Sequence, residues 1–159
     1  MSWYEKKYIY LKNHPTLSSC ILFLSTWLTR LVYVSYGLLC IYACTHQLWK
    51  CIGVPAIGFG LETGLRATLN QPRPYEIMDF PTLQPKATKG KSFPSRHCFS
   101  VAIISMAMAS VNIWLGAWFM LFTLLLIICR VCIGVHWIKD VVVGALLGWL
   151  CGWIGFFLL

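Results

Sequence analysis

The chain has 159 residues, enough for a single domain, and 58% of them are hydrophobic while only 11% are charged, with a mean hydropathy of +0.70. Soluble domains carry about 25% charged residues, so an ordinary soluble globule is excluded and an all-α membrane protein is implied. The formal charge of +8 sits mainly at Lys6–Lys12 and Arg66–Arg96, beside apolar runs; this placement fits anionic headgroups or an anionic substrate and argues against nucleic acid as a partner.

In chain order, residues 2–13 mix Trp3, Tyr4 and Tyr8 with Lys6, Lys7 and Lys12, which reads as a short amphipathic helix in the membrane interface or as a polar tail. Residues 16–49 are apolar apart from Arg30. The length predicts one long tilted helix, or an interfacial helix followed by a span. Arg30 is expected to snorkel or to face the bundle interior, with Glu62 as a partner. A second span is predicted at 51–69. A proline-rich loop follows over 70–91, in which Lys86, Lys89, Lys91 and Glu76 read as solvated charges. Further spans are predicted at 94–111, 113–135 and 139–159, the first two separated near Asn112. The fold class is a polytopic transmembrane helix bundle of about five spans in one domain, 1–159. The apolar run at the start is too long and lacks the cleavage pattern of a secretory signal. Most of the eight cysteines lie inside the apolar runs and read as small buried hydrophobes.

Charge at a membrane boundary is costly, so three polar clusters need a reason. The first is Arg66 with Arg73, where two guanidiniums at one helix end can grip a phosphate by paired hydrogen bonds, although cations flanking a span are common. In the second, "KSFPSRHC", Pro94 and Ser95 suit a helix start whose free N–H groups form an anion site, and His97 stands in the first turn. The third joins Arg130, His136 and Asp140. At a spacing of i, i+4 the imidazole and carboxylate would share a helix face, the carboxylate fixing the tautomer of a nucleophile or base. A span count of five puts all three clusters on one side of the membrane. Three arginines and two histidines then suit phosphate-ester cleavage, one histidine attacking phosphorus and the other protonating the leaving oxygen.

At these residues the chain resembles the type 2 phosphatidic acid phosphatase family, the lipid phosphate phosphatases that share a core with vanadium haloperoxidases, in a small bacterial-type form. That family's signature is K-x6-R-P, P-S-G-H and S-R-x5-H-x3-D. Arg66 and Arg73-Pro74 match the first part with Arg for Lys. Pro94-Ser95-Arg96-His97 match the second with Arg for Gly. Arg130, His136 and Asp140 match the third, with Cys129 for Ser. The resemblance covers residues 66–140. It implies His136 as the nucleophile that forms a phosphohistidine, Asp140 as its orienting group and His97 as the general acid. It implies Arg66, Arg73, Ser95 and Arg130 as phosphate ligands, with no metal and no cofactor. Arg96 and Lys91 are further candidates for substrate contact. The expected substrate is a lipid phosphomonoester or diphosphate, such as a polyprenyl diphosphate, phosphatidylglycerophosphate or phosphatidate. The expected location is the plasma membrane with the site on its outer face, while the positive-inside rule pulls the basic segments the other way. Family members commonly have six spans, and this chain is expected to have one fewer before Arg66.

Two other readings are open. The C-x-x-C formed by Cys129 and Cys132 is compatible with a membrane thiol oxidoreductase. The same cationic pocket is also compatible with a phospholipid-binding protein that does no chemistry.

Overall fold

The computed structural model describes residues 3–42, 48–78, 82–84 and 88–159. Every regular element among them is helical. They are α1 (Trp3–Lys12), α2 (Pro15–Tyr42), α3 (Leu48–Leu69), α4 (Pro74–Ile77), α5 (Arg96–Val111), α6 (Ile113–Ile133) and α7 (Ile138–Trp153), with a π-helical extension at Ile154–Leu158. α2, α6 and α7 with its extension are long and apolar enough to cross a membrane. α3 has 22 residues but carries Glu62 and Arg66, and α5 has 16.

α5 is the centre of the bundle. Twelve of its sixteen residues are buried, because α6 and α7 pack along it while α2 and α3 close its remaining sides. The α5–α7 seam depends on glycines. Gly144, Gly148 and Gly152 recur every fourth residue on α7, so they form one stripe along the helix. A Cβ on Gly148 would lie 2.4 Å from the Phe99 carbonyl oxygen, and one on Gly144 would lie 2.6 Å from that of Ser95. The missing side chains let the two backbones touch. Outside this core, residues such as Val34, Leu38, Trp114, Trp118 and Leu146 are exposed, as apolar side chains facing acyl chains would be.

The expected 34-residue helix over 16–49 is not present. α2 ends at Tyr42, and Trp49 belongs to the first turn of α3; residues 43–47 lie outside the described set. The 28 residues of α2 already extend about 42 Å, more than a hydrocarbon core of about 30 Å needs. The other boundaries move by three residues or fewer. The expected break at Asn112 is a helix cap, its Oδ1 accepting from the backbone N–H groups of Trp114 (2.9 Å) and Leu115 (3.2 Å).

The N-terminal segment is a formed helix rather than a polar tail. Tyr4 stacks edge-on against Trp137 at 5.1 Å and accepts a hydrogen bond from the Ile138 N–H at 3.1 Å. Lys7 does not snorkel. It donates to the Val131 carbonyl at the end of α6, and burial lowers its pKa to about 8. α1 therefore braces the turn between α6 and α7.

Candidate active site

That turn carries His136. Gly134 ends α6 in the left-handed conformation (φ 84°), a backbone state that favours glycine. The chain then passes through His136 to Trp137, the N-cap of α7. His136 is therefore not on a helix, contrary to the expected shared helical face with Asp140. Asp140 is the third residue of α7 and folds back over the helix start, where its Oδ2 accepts from the Trp137 N–H at 3.1 Å. This places Oδ2 3.6 Å from His136 Nδ1.

Ser92 lies between these two groups. It is fully buried, and its hydroxyl donates to Asp140 Oδ2 while lying 3.4 Å from His136 Nδ1. A hydroxyl has one proton, so once that proton points at the carboxylate a lone pair faces the ring. The arrangement favours the tautomer with hydrogen on Nδ1 and leaves the Nε2 lone pair available for attack. His136 is 3% exposed. Burial lowers its pKa to about 4; the bond to Asp140 opposes the shift and the nearby Arg73 and Arg130 reinforce it. The imidazole is thus neutral near pH 7.

Ser95 is the N-cap of α5 by backbone geometry, but its side chain makes no capping bond. Its N–H donates to the Asp140 carbonyl at 2.8 Å, which ties the start of α5 to the start of α7. Its Oγ is buried beside the Cys98 thiol, with no partner of regular hydrogen-bond geometry. His97 is in the first turn of α5, half-buried.

The arginines both hold the walls and face the cavity. Arg66 is buried; it donates to the carbonyls of Pro94 and Lys91 and lies 3.4 Å from Glu62. Arg73 donates from Nε to the Gly90 carbonyl (3.1 Å) and from a terminal nitrogen to the Val135 carbonyl (3.3 Å). Arg66 Nε and Arg130 Nε are buried without a partner. A cavity of about 680 Å³ opens here, lined among others by Arg66, Arg73, Lys91, Arg96, His97 and His136. Arg130 lines a second cavity of about 320 Å³, against α2, and His97 borders both. Six of the nine residues singled out in the sequence thus meet at one cavity. Arg130 lies beyond His97, while Ser95 and Asp140 are buried in the wall. No group of three or more His, Cys, Asp or Glu side chains suited to a metal ion occurs among the described residues.

Two expectations about charge change. Glu62 does not pair with Arg30. Its carboxylate is fully buried and lies 3.4 Å from both Arg66 and Arg96, because this face of α3 meets the start of α5. Arg30 is instead exposed on α2, 5.4 Å above the Trp27 ring. The second change concerns Glu76, which is exposed as a solvated charge would be but also has fixed partners. Its Oε1 accepts from the N–H groups of Arg73 (2.9 Å) and Gly90 (2.8 Å), pinning together the loop strands that flank the cavity. Lys86 lies outside the described residues.

Arg96, the cation that stands where the resembled signature has glycine, now has a place. Its guanidinium lies 4.9 Å over the Phe59 ring, and it reaches Thr63 as well as Glu62, so it anchors the start of α5 to α3 at the cavity rim. Of the residues that build this site, Ser92 was not singled out in the sequence and Glu62 was given another partner. Glu62, four residues before Arg66 on a helix, was recognisable as its partner. Ser92 had no spacing signal, since its partners are 44 and 48 residues away. Cys129 and Cys132 are free thiols, one buried and one half-buried.

A family profile described as the PAP2 superfamily matches residues 47–158. Among solved structures, LpxE from Aquifex aeolicus is similar, with 30% identity and a TM-score of 0.68 over 89% of this chain and 86% of that one. The first transmembrane PAP2-type phosphatidylglycerolphosphate phosphatase from Bacillus subtilis shares the fold, with 21% identity and a TM-score of 0.62 over 89% of this chain and 75% of that one. Comparison with curated proteins finds no match.

Proposed function

The chain belongs to the PAP2 superfamily, and on that premise we propose that it is a membrane phosphatase that hydrolyses a lipid phosphomonoester or diphosphate through a phosphohistidine. The observation that carries this reading is the Ser92–His136–Asp140 arrangement at the wall of a cavity rich in arginine.

In the proposed reaction the Arg66 and Arg73 guanidiniums and the Ser95 hydroxyl hold the phosphate oxygens, with Arg130 approaching from beyond His97. Neutral His136 attacks phosphorus through Nε2. The bond from phosphorus to the leaving oxygen breaks, and that oxygen takes a proton from His97. Asp140 and Ser92 stabilise the ring as positive charge develops on it. Water, deprotonated by His97, then attacks the phosphohistidine, which releases inorganic phosphate and restores both histidines. No step calls on a metal.

We further read α3 and α5 as the fourth and fifth spans. At 16 residues α5 extends about 24 Å, and its place inside the bundle frees it from matching the full bilayer thickness. The site is read as opening on the outer face of the plasma membrane; a membrane-impermeant amine reagent applied to intact cells would then label Lys89.

The decisive experiment measures phosphate release by purified protein from polyprenyl diphosphate, phosphatidylglycerophosphate and phosphatidate, with and without EDTA. At least one lipid should be turned over, EDTA should not slow it, and His136→Ala should abolish it along with an acid-labile phosphoprotein. Saturable lipid binding without turnover, or equal rates in wild type and His136→Ala, would refute the proposal.

A further inference from the structure

Glu62 is hard to reconcile with a cavity that binds phosphate. Its carboxylate is fully buried and lies 3.4 Å from Arg66, one of the guanidiniums proposed to hold the phosphate oxygens. A negative charge so close to a phosphate ligand competes with the phosphate for it. The carboxylate nevertheless has a use. A guanidinium carries five N–H donors, and Arg66 directs three of them to the protein: to the Pro94 carbonyl, the Lys91 carbonyl and Glu62 Oε1. These acceptors fix the plane of the group and leave two donors for an anion, one of them the unpartnered Nε–H. Glu62 thus orients Arg66 and in doing so opposes its charge.

Arg96 meets the other side of the same carboxylate. Its Nε stands 3.4 Å from Glu62 Oε2, the oxygen that Arg66 leaves free, and neither atom has a hydrogen-bond partner. The contact is one of charge, between two groups that face each other with bonding capacity unused. The rest of the guanidinium is held from α3: it lies 4.9 Å over the Phe59 ring and is 3.4 Å from the Thr63 hydroxyl. Glu62 and Arg66 alone sum to no net charge, and Arg96 brings the cluster to a formal +1. A buried carboxylate needs a counter-charge. With Arg96 in contact, that counter-charge does not have to come from Arg66.

We infer that Arg96 is a positioning residue for phosphate binding: it neutralises Glu62, so that Arg66, oriented by that same carboxylate, presents its charge to the phosphate. This rests on the proposed role of Arg66 as a phosphate ligand. Arg96 acts through Glu62 and takes no part in bond making. When a phosphate draws on Arg66, the charge of Glu62 is balanced by Arg96, whose Nε already stands beside Oε2.

The test is a double-mutant cycle on Arg96→Gln and Glu62→Gln. It is read by equilibrium binding of radiolabelled inorganic phosphate to the purified protein, and by kcat and KM for the lipid phosphate that wild type turns over fastest. Glutamine at 62 keeps an amide oxygen for Arg66 and removes the negative charge. Arg96→Gln should weaken phosphate binding and raise KM by about tenfold, the order expected of one unit charge at a partly buried site, with kcat changed far less. Adding Glu62→Gln to Arg96→Gln should return binding to within about threefold of wild type, a strong departure from additivity. If Arg96 only anchored α5 to α3, or touched the lipid itself, the second substitution would bring no recovery. Absence of that recovery in folded protein, checked by thermal melting, overturns the inference and leaves the phosphatase reading in place wherever wild type cleaves lipid. Arg96→Lys decides the matter should the Glu62 variant fail to fold: it keeps the charge and should bind phosphate far better than Arg96→Gln, and equal loss in the two overturns the inference. A wild type that neither binds phosphate nor cleaves any lipid overturns both readings.

Discussion

α5 and α2 are both long apolar helices, yet the first is almost wholly buried and the second shows buried residues only at Ser25, Leu28, Val32 and Leu39. The difference separates two jobs. α5 is an interior strut whose first turn carries Ser95, Arg96 and His97, and whose position is set by backbone contact with α7. α2 is a peripheral helix that packs Leu28, Val32 and Leu39 inward and turns most of its surface outward. The contrast implies that sequence tolerance and functional sensitivity differ sharply between the two.

The severest test of this contrast is Gly148→Leu. Its side chain must enter the space held by the Phe99 carbonyl and Ala102, so the seam must open. A destabilisation of about 3 kcal/mol or more is expected, read as a lower melting temperature or loss of the monodisperse peak in detergent. Next is Asp140→Asn, which should leave the helices in place and lower kcat by about 10²–10⁴-fold through the wrong tautomer of His136. Steady-state kinetics beside circular dichroism would separate this loss from unfolding.

The pH dependence of stability should also report on the interior. His136 titrates near 4 when folded and near 6.5 when unfolded, so between these values the unfolded chain binds more protons. Its contribution is fully present above about pH 6.5 and is lost as the pH falls toward 4. Melting at pH 4.5 and 7.5 should show this loss in wild type and a smaller one in His136→Ala. A milder change, Ser92→Ala, should lower kcat by about tenfold and alter its pH profile, since it removes the donor that orients Asp140. The smallest effect is expected on α2. A Cβ at Gly37 meets nothing within 4 Å, so Gly37→Ala should leave activity unchanged and raise stability by up to about 1 kcal/mol through helix propensity. A large loss of activity there would break the contrast.

Much of this organisation was legible beforehand. Apolar runs and the Asn112 break located the helices, and spaced Arg, His and Asp residues marked the site. The failures follow from what local spacing leaves out. Arg30 and Glu62 are opposite charges on neighbouring helices, but which faces meet depends on packing, and Glu62 turned toward Arg66 and Arg96. Glu76 is exposed as expected, but its two backbone donors, at Arg73 and Gly90, converge only in the folded loop.

By itself, then, the sequence determined the membrane class, the helical architecture and the set of candidate site residues. These depend on hydrophobic content and on short-range spacing, which a linear chain carries directly. The tertiary structure decided where those residues stand. It placed His136 off the helix and Ser92 between His136 and Asp140. It divided the cationic pocket at His97 into two cavities and gave Arg96 to the α3 anchor. Each of these depends on the contact of helices far apart in sequence, above all the glycine-mediated approach of α7 to α5, and no local pattern specifies such a contact.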